Sequence, residues 1–208
     1  MPTLGKTIFE LSRIFRLLNE AYYSSELPAP IIAVQMQGKS NAYGWCTTRK
    51  IWSDTNGGQG YYEITLTAEY LTRSNEQIVA TMLHEMATLY CGQAGIKDTS
   101  RSGIYHNERF KSTAEAHGLC IGYDKKIGWS LTTLSEDAKA LLPALKINRQ
   151  AFRVSRQLQP AKGKNTSKQS SRKYICPNCG VTVRATKAVN IICADCLQLM
   201  LPEVKENE

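Results

Sequence analysis

Two groups of residues in this 208-residue chain have the types and spacing that could do chemistry. Near the C-terminus, Cys176 and Cys179 form one C-x-x-C pair, and Cys193 and Cys196 form a second pair after 13 intervening residues. Zinc takes four tetrahedral ligands, and two pairs of thiolates at this spacing supply all four. Gly180 lies where such a C-x-x-C knuckle often needs a positive φ. The pattern therefore predicts a structural zinc site without an open coordination position, and a redox-active pair is the alternative interpretation.

The second group is the run His84-Glu85-Met86-Ala87-Thr88, which lies in a segment with the apolar periodicity of a helix. In an H-E-x-x-H helix, histidines four residues apart face one way and bind zinc, and the glutamate between them acts as a general base. Here His84 and Glu85 are present, but Thr88 occupies the position of the second histidine. An accidental His-Glu pair on a helix is the alternative.

The residues around this run carry a resemblance to a known family. The stretch TMLHEMATLYCGQAGIKDTSRSGIYHNERFKSTAEAHGL resembles the SprT-like family of metallopeptidases, and the likeness extends over residues 5–135. The basic tail and its cysteine ribbon are similar to the version found in bacterial mobile elements. The resemblance implies an α+β zincin-like domain, with helices packed on a small mixed sheet, that hydrolyses peptide bonds in DNA-associated proteins.

The resemblance also implies site residues. The family places a third zinc-binding histidine in an H-x-x-x-F context, which His106 and Phe110 match here. Carried over, His84 and His106 are ligands of a catalytic-type Zn²⁺ and Glu85 is the base, whereas Thr88 departs from the family pattern. A neutral hydroxyl is a poor zinc ligand compared with imidazole.

Three interpretations of Thr88 stay open. The site binds zinc through two histidines and water with weak or no activity, it is an empty pseudoenzyme site on a scaffold, or the threonine is an isolated inactivating change. Other side chains are poor substitutes for the missing ligand. On a helix, His117 would lie about 16 Å from His106, and Cys91 about 10 Å from His84. Cys46 and Cys120 are expected to be core thiols.

The charge of the chain is concentrated at its C-terminal end. The net charge is +8; residues 1–150 hold 16 Lys and Arg against 14 Asp and Glu, and residues 151–208 hold 10 against 4. Such an excess fits a polyanionic partner, with DNA expected first and RNA second. The side chains predicted to bind nucleic acid lie in or beside the ribbon: Arg172, Lys173, Arg184 and Lys187. Docking of another protein is the alternative use of this surface.

The candidate residues need elements that position them, and the pattern predicts helices and short strands in alternation. The first helix covers residues 6–23 and is ended by Pro28 and Pro30. A capping box of Ser74 and Gln77 opens the helix that carries His84. The other predicted elements are strands over residues 31–36, 43–52 and 61–66, a helix over 107–117 closed by Gly118, a hairpin over 119–132, a helix over 135–147 interrupted at Pro143, and ribbon strands over 181–184 and 189–192.

These elements predict three consecutive regions: a SprT-like metallopeptidase domain over residues 1–150, a basic flexible linker over 151–173, and a zinc ribbon with its tail over 174–208. Residues 153–173 contain seven Lys and Arg and no acid, which fits both a solubilising tether and a phosphate-binding segment. The sequence shows no secretion signal and no apolar run of membrane-helix length, so we expect a cytoplasmic protein, with association with the nucleoid as an option, and no membrane partner. Its function is expected to be either a DNA-associated metallopeptidase weakened at Thr88 or a non-enzymatic adaptor that binds nucleic acid or protein.

Overall fold

A computed structural model describes residues 3–36, 42–58, 60–101, 103–157 and 171–203. The chain divides into two compact units, residues 1–158 and 159–208. Helices and small sheets are mixed along the chain, which confirms the α+β class. No helix in the described ranges is long and apolar enough to cross a membrane.

The first helix, α1 (Leu4–Tyr23), contributes one apolar face to the core of the first unit. Thr3 caps its start, and the fully buried side chains recur at helical spacing: Leu11, Ile14 and Leu18. The helix ends at Tyr23, as predicted, but the prolines are not what ends it. Ser24 and Ser25 adopt positive φ values of 52° and 62° directly after Tyr23, so the left-handed turn ends the helix before Pro28 is reached.

A three-stranded sheet follows, built from β1 (Ile31–Gln35), β2 (Gly44–Cys46) and β3 (Glu63–Thr67). β3 is the central strand and is entirely buried; β1 runs parallel to it and β2 antiparallel at the edge. The predicted strand over residues 43–52 is wrong in length. Only three residues pair, because the chain bends at residues 48–49, and Trp52 then meets Tyr61 in an isolated bridge.

The long helix α2 (Asn75–Gln93) carries His84 through the core. It begins with the predicted capping box, in which the Ser74 hydroxyl accepts from the Gln77 backbone N–H and the Gln77 side chain accepts from the Ser74 backbone N–H. Its predicted apolar stripe is buried: Ile78, Val79, Met82, Leu83, Met86 and Leu89. Burial on several sides fixes the rotation of the helix, and therefore the direction in which His84 projects.

A second sheet has the order β4-β5-β7-β6 and consists of β4 (Thr99–Ser100), β5 (Tyr105–His106), β6 (Leu119–Asp124) and β7 (Gly128–Leu134). Helix α3 (Glu108–Ala116) links β5 to β6, and Gly118 follows it at φ 86° as the sequence predicted. Gly128 has φ 75°, and a Cβ atom there would overlap the carbonyl oxygen of His106. The close contact that places His106 beside β7 thus requires glycine.

The end of the first unit differs from its prediction. Helix α4 (Glu136–Leu141) stops well before residue 147, because Pro143 has no N–H to donate to the next helical hydrogen bond. The linker was predicted to start at residue 151, but Ala151 and Phe152 are buried in a 3₁₀ turn against α1. Arg156 pairs with Glu69 at 3.5 Å. Residues 158–170 of the predicted linker lie outside the described residues.

The second unit contains two small antiparallel sheets. One has the order β12-β8-β9, from β8 (Arg172–Ile175), β9 (Thr182–Ala185) and β12 (Leu201–Pro202); the other pairs β10 (Ile192–Cys193) with β11 (Gln198–Leu199). The predicted strand over residues 189–192 is wrong except at Ile192. A small core remains, formed by Tyr174, Cys176, Cys193 and Met200.

Candidate active site and four-cysteine metal site

The side chains of His84 and His106 converge although α2 and β5 carry them on separate elements. Their Nε2 atoms are 3.3 Å apart, and the two rings are perpendicular. Two nitrogens that bind one zinc ion at 2.0–2.1 Å with a tetrahedral angle lie about 3.3 Å apart. The distance between the two Nε2 atoms therefore fits two ligands of one ion, and the rings are held in place by Phe110, whose centroid is 4.6 Å from His84 and 3.9 Å from His106.

The surroundings of His84 are compatible with the tautomer that a metal ligand needs. Its Nδ1 is 2.8 Å from the hydroxyl of Thr132, and that hydroxyl is 3.2 Å from the Ser130 carbonyl oxygen. When the hydroxyl donates to Ser130, it accepts from the Nδ1–H of His84. In that arrangement the lone pair of His84 is on Nε2, the atom that faces His106.

Burial keeps both imidazoles neutral. Burial, together with the nearby His106, lowers the pKa of His84 to about 3, and burial lowers the pKa of His106 to about 4. Both rings are therefore uncharged at neutral pH, which is the form that binds metal ions.

Asp98 faces the far side of the His106 ring. Its Oδ2 atom is 4.0 Å from Nδ1 of His106, and both atoms are buried without a hydrogen-bond partner. Metal-bound histidines usually donate their second N–H to a carboxylate or carbonyl. The Asp98 carboxylate and the His106 ring nitrogen are thus arranged as a carboxylate–histidine pair, although their separation is slightly too long for a hydrogen bond.

Thr88 lies one helical turn beyond His84 on α2, where the second ligand was expected. Its hydroxyl oxygen is buried and has no hydrogen-bond partner. In the part of the chain that the structure describes, the four ribbon cysteines are the only set of three or more His, Cys, Asp or Glu side chains placed to hold a metal ion. The histidine pair therefore has two strong donors and one weak, unpaired hydroxyl nearby.

Glu85 is buried beside the edge strand of the first sheet. Burial raises the pKa of its carboxyl to about 8, and a nearby cation would act in the opposite direction. An ideal Cβ atom on Gly44 would lie 3.3 Å from Oε1 of Glu85 and only 2.8 Å from the carbonyl oxygen of Thr65. Strand β2 approaches Glu85 this closely because residue 44 is glycine.

The remaining histidine and cysteines of the first unit lie in other surroundings. His117 stacks on Tyr23 at a centroid distance of 4.2 Å, and its Nδ1 bonds the Thr113 carbonyl oxygen of its own helix. Cys91 is buried, and Cys46 packs against the core with its thiol 3.5 Å from the Thr47 carbonyl oxygen. Cys120 is exposed on β6, so its predicted role as a core thiol is wrong.

In the second unit, the four predicted cysteines come together. The sulfur atoms of Cys176, Cys179, Cys193 and Cys196 all lie within 4.8 Å of one another, and those of Cys179 and Cys193 are 3.6 Å apart. Two sulfurs bound tetrahedrally to one zinc ion at 2.3 Å lie about 3.8 Å apart. The cluster can hold a structural metal ion, because its dimensions match four thiolate ligands.

Backbone turns hold the two cysteine pairs in place. The Gly180 N–H donates to the Cys176 carbonyl oxygen at 3.0 Å, and the Leu197 N–H donates to that of Cys193 at 2.8 Å. Gly180 has φ 73°, as the knuckle pattern predicted, and Leu197 takes the equivalent position at φ 51°. Backbone N–H groups, that of Cys179 foremost, lower the pKa of Cys176 to about 7 and favour its thiolate.

The predicted nucleic-acid-binding side chains do not form one uniform patch. Lys173 and Arg184 are directly paired across β8 and β9, so they share a face, whereas Arg172 points to the opposite face of its strand. Glu203 accepts from Lys173 at 2.6 Å, and Ser171 accepts from Arg184 at 3.3 Å. Arg184 and Lys187 lie on the segment between the cysteine pairs.

No protein-family model matches this chain, and no curated protein or solved structure compared with it does so either. What the chain can do is therefore inferred from its own residues. Two residues of the histidine site escaped the sequence analysis, Asp98 and Thr132. Neither belongs to a recognisable spacing, and only the packing of β7 and of the loop after α2 brings them to the histidines.

Proposed function

We propose that the first unit is a SprT-like zincin domain whose site binds zinc through His84 and His106, with peptide hydrolysis weakened or lost at Thr88. The observation that carries this proposal is the 3.3 Å approach of the two Nε2 atoms, with Glu85 next to His84 on the same helix. Two neutral imidazole lone pairs at this distance repel each other unless a cation or a proton lies between them. The sequence resemblance supports the same assignment.

Zinc held by His84 and His106 would supply a polarised water and stabilise negative charge on a peptide carbonyl oxygen. Glu85 would be the proton acceptor, because it is the carboxylate adjacent to the first ligand on α2. Thr132 beside Nδ1 of His84 and Asp98 facing Nδ1 of His106 would favour the tautomers that leave both Nε2 lone pairs for the metal. Edge strand β2, which Gly44 brings next to Glu85, forms the wall beside the base.

Thr88 is the reason to expect little catalysis. Its side chain is shorter than that of histidine, and its neutral hydroxyl is a weak zinc ligand. The hydroxyl is buried without a partner, so the helix contains an unpaired polar atom where the family pattern has an imidazole. We infer weaker metal affinity than a three-histidine site has, and correspondingly weak activity.

Association with DNA is the second part of the proposal, with RNA as the other candidate. The chain carries a net charge of +8, and residues 151–208 hold 10 Lys and Arg against 4 Asp and Glu. Lys and Arg contacts to phosphates give affinity that depends on salt and little on sequence. Such binding would bring the first unit to proteins bound on the nucleic acid, which are the proposed substrates.

Zinc analysis of the purified full chain tests the proposal. We expect two zinc ions per chain, with one lost in His84→Ala and both kept in the matched control His117→Gln, which removes a histidine outside the site. A single zinc in the wild-type chain, unaffected by His84→Ala, would contradict the two-histidine site. Peptidase activity on DNA-bound protein that is lost in Glu85→Gln would establish that the chain is an enzyme. Absence of activity with any added metal or DNA would contradict the peptidase function.

A non-enzymatic adaptor is the second candidate, and the replacement of a strong ligand by Thr88 favours it. In this case the histidine site is a structural remnant, and the ribbon provides the function by binding nucleic acid or docking a protein. DNA binding that Arg184→Gln with Lys187→Gln weakens, in a chain without peptidase activity, would support the adaptor. Capture of a protein that depends on Cys176 and Cys193 but not on these cations would instead indicate docking.

A further inference from the structure

A row of aromatic rings with a cation at each end crosses the second sheet of the first unit. The guanidinium of Arg101 lies 4.4 Å from the ring centroid of Tyr105, whose centroid is 6.5 Å from that of Tyr123. Tyr123 packs against Trp129 at 5.1 Å, and the ammonium of Lys111 lies 4.2 Å from the Trp129 ring. We call these five residues the aromatic row.

The central ring of the aromatic row is open to solvent. Tyr123 is 48% exposed, although it is a large aromatic side chain at the end of a strand. A hydrogen bond of 3.0 Å between the hydroxyls of Tyr105 and Tyr123 fixes the two rings relative to each other. The row is thus a connected surface, because each member contacts a neighbouring ring or cation.

Positive charge surrounds the exposed ring. The turn between β6 and β7 carries the exposed side chains of Lys125 and Lys126 next to Tyr123. The one acid in this turn, Asp124, is engaged with the backbone, because its Oδ1 accepts the N–H groups of Lys126 at 2.7 Å and Ile127 at 3.2 Å. The four cations of the row and of the turn outnumber this one carboxylate.

We propose that the aromatic row binds single-stranded nucleic acid, with an unpaired base stacked on Tyr123 and phosphates held by Arg101 and Lys111. Surfaces for single strands combine aromatic rings for base stacking with cations that follow the backbone. A duplex keeps its bases stacked inside, so its bases do not reach Tyr123. Charge complementarity favours a polyanion over an apolar peptide, because a cation lies at both ends of the row.

The aromatic row and the candidate active site are carried by the same elements. Tyr105 directly precedes the ligand His106 in β5, and Lys111 directly follows Phe110, which contacts both histidines. Because neighbouring residues of a strand point to opposite faces, Tyr105 and His106 project from opposite sides of β5, and a nucleic-acid strand on the row would leave the histidines uncovered. The inference rests on the proposed association with nucleic acid and adds unpaired bases on the first unit as the ligand.

Binding of the full chain to a labelled oligothymidylate, an oligouridylate and a duplex of equal length tests the inference. Tyr123→Leu removes the ring, and Leu131→Ala, an exposed apolar side chain of the same hairpin at 52%, is its matched control. Lys111→Gln removes a terminal cation, and Arg109→Gln removes an exposed cation of the same helix outside the row. Thermal unfolding verifies that each variant is folded.

We expect Tyr123→Leu to weaken single-strand binding about fivefold or more, without a change in salt dependence, and to leave duplex binding unchanged. Lys111→Gln should lower the slope of log affinity against log salt by about 0.7, the value for one phosphate contact on a single strand. The controls should bind as the wild type does. Comparison of the two oligonucleotides then identifies DNA or RNA as the source of the strand.

Other outcomes separate this inference from the proposed function. Single-strand binding that is unaffected by Tyr123→Leu and Lys111→Gln but weakened by Arg184→Gln would overturn the aromatic row and leave nucleic-acid association intact. An equal loss in Tyr123→Leu and Leu131→Ala would show a general effect on the hairpin and would also overturn it. No binding of any oligonucleotide at low salt would overturn both proposals.

Discussion

Replacing Asp98 by asparagine is the sharpest perturbation of the candidate active site. In the wild-type chain, the Oδ2 atom of Asp98 faces Nδ1 of His106 at 4.0 Å and favours a hydrogen on that nitrogen. Burial raises the pKa of Asp98, and its interaction with Thr99 opposes that rise, so an asparagine should keep its oxygen on the Thr99 side and turn its amide toward His106. The amide N–H groups would then favour the opposite tautomer of His106, with hydrogen on Nε2.

A histidine with hydrogen on Nε2 has no lone pair to offer at the position that faces His84. Loss of the group that accepts a hydrogen bond from the second ring nitrogen of a metal-bound histidine lowers metal affinity 10- to 100-fold, or by about 1.4–2.7 kcal/mol. Stability of the metal-free protein should not fall, because Oδ2 of Asp98 is buried without a hydrogen-bond partner and the substitution removes a buried charge. Weaker metal binding without loss of folding stability is therefore the expected signature.

The assay is chelator competition for the second zinc equivalent, measured after the tighter four-cysteine site has been filled. His84→Ala gives the baseline without the site, and Asp137→Asn removes an exposed carboxylate as the matched control. Urea unfolding of the metal-free chains gives the stability comparison. Unchanged affinity for the second zinc in Asp98→Asn would refute the tautomer argument, and a large loss of metal-free stability would show that Asp98 is structural.

Three further predictions concern other parts of the chain. Hydrogen bonds from Arg13 and the Asn148 N–H lower the pKa of Glu10, so Glu10→Gln should reduce the free energy of unfolding by about 2 kcal/mol at neutral pH. That difference should persist above the ordinary glutamate pKa and disappear as the pH falls through the lowered value, as pH-dependent urea unfolding would show; a constant difference would contradict it. Gly180→Ala, at φ 73°, should weaken zinc binding by the ribbon about fivefold in chelator competition, whereas Leu197→Gly should not weaken it. Thr88→His should strengthen binding of the second zinc and raise peptidase activity, and a tighter site without activity would place the defect beyond this ligand.

The sequence predicted best where the signal is local. The capping box of Ser74 and Gln77 and the turn glycines at Gly118 and Gly180 depend on a few neighbouring residues, and the structure confirms them. The four cysteines belong to the same class, because two C-x-x-C pairs bring their own turns with them and need only one long-range contact to meet. Local hydrogen bonds and backbone preferences decide such features.

Element lengths were less predictable, because partners and breakers compete with intrinsic propensity. The apolar pattern of residues 43–52 favours a long strand, but the pairing of β2 with β3 supports only Gly44 to Cys46 before the chain bends. The helix after Ser135 ends at Leu141, although the polar and apolar periodicity continues toward Ile147. Likewise, the residue pattern around position 151 did not indicate that Phe152 would be buried.

For the candidate active site, the sequence by itself determined the residue types: a histidine followed by glutamate on a helix, a second histidine before Phe110, and a threonine where a ligand was expected. Only the tertiary structure decided that His84 and His106 meet at 3.3 Å, and that Thr132 and Asp98 face their other nitrogens. The physical reason is that distances between ring nitrogens depend on how α2 packs against the second sheet. That packing results from many buried contacts and from the glycine at position 128, and no local spacing encodes it.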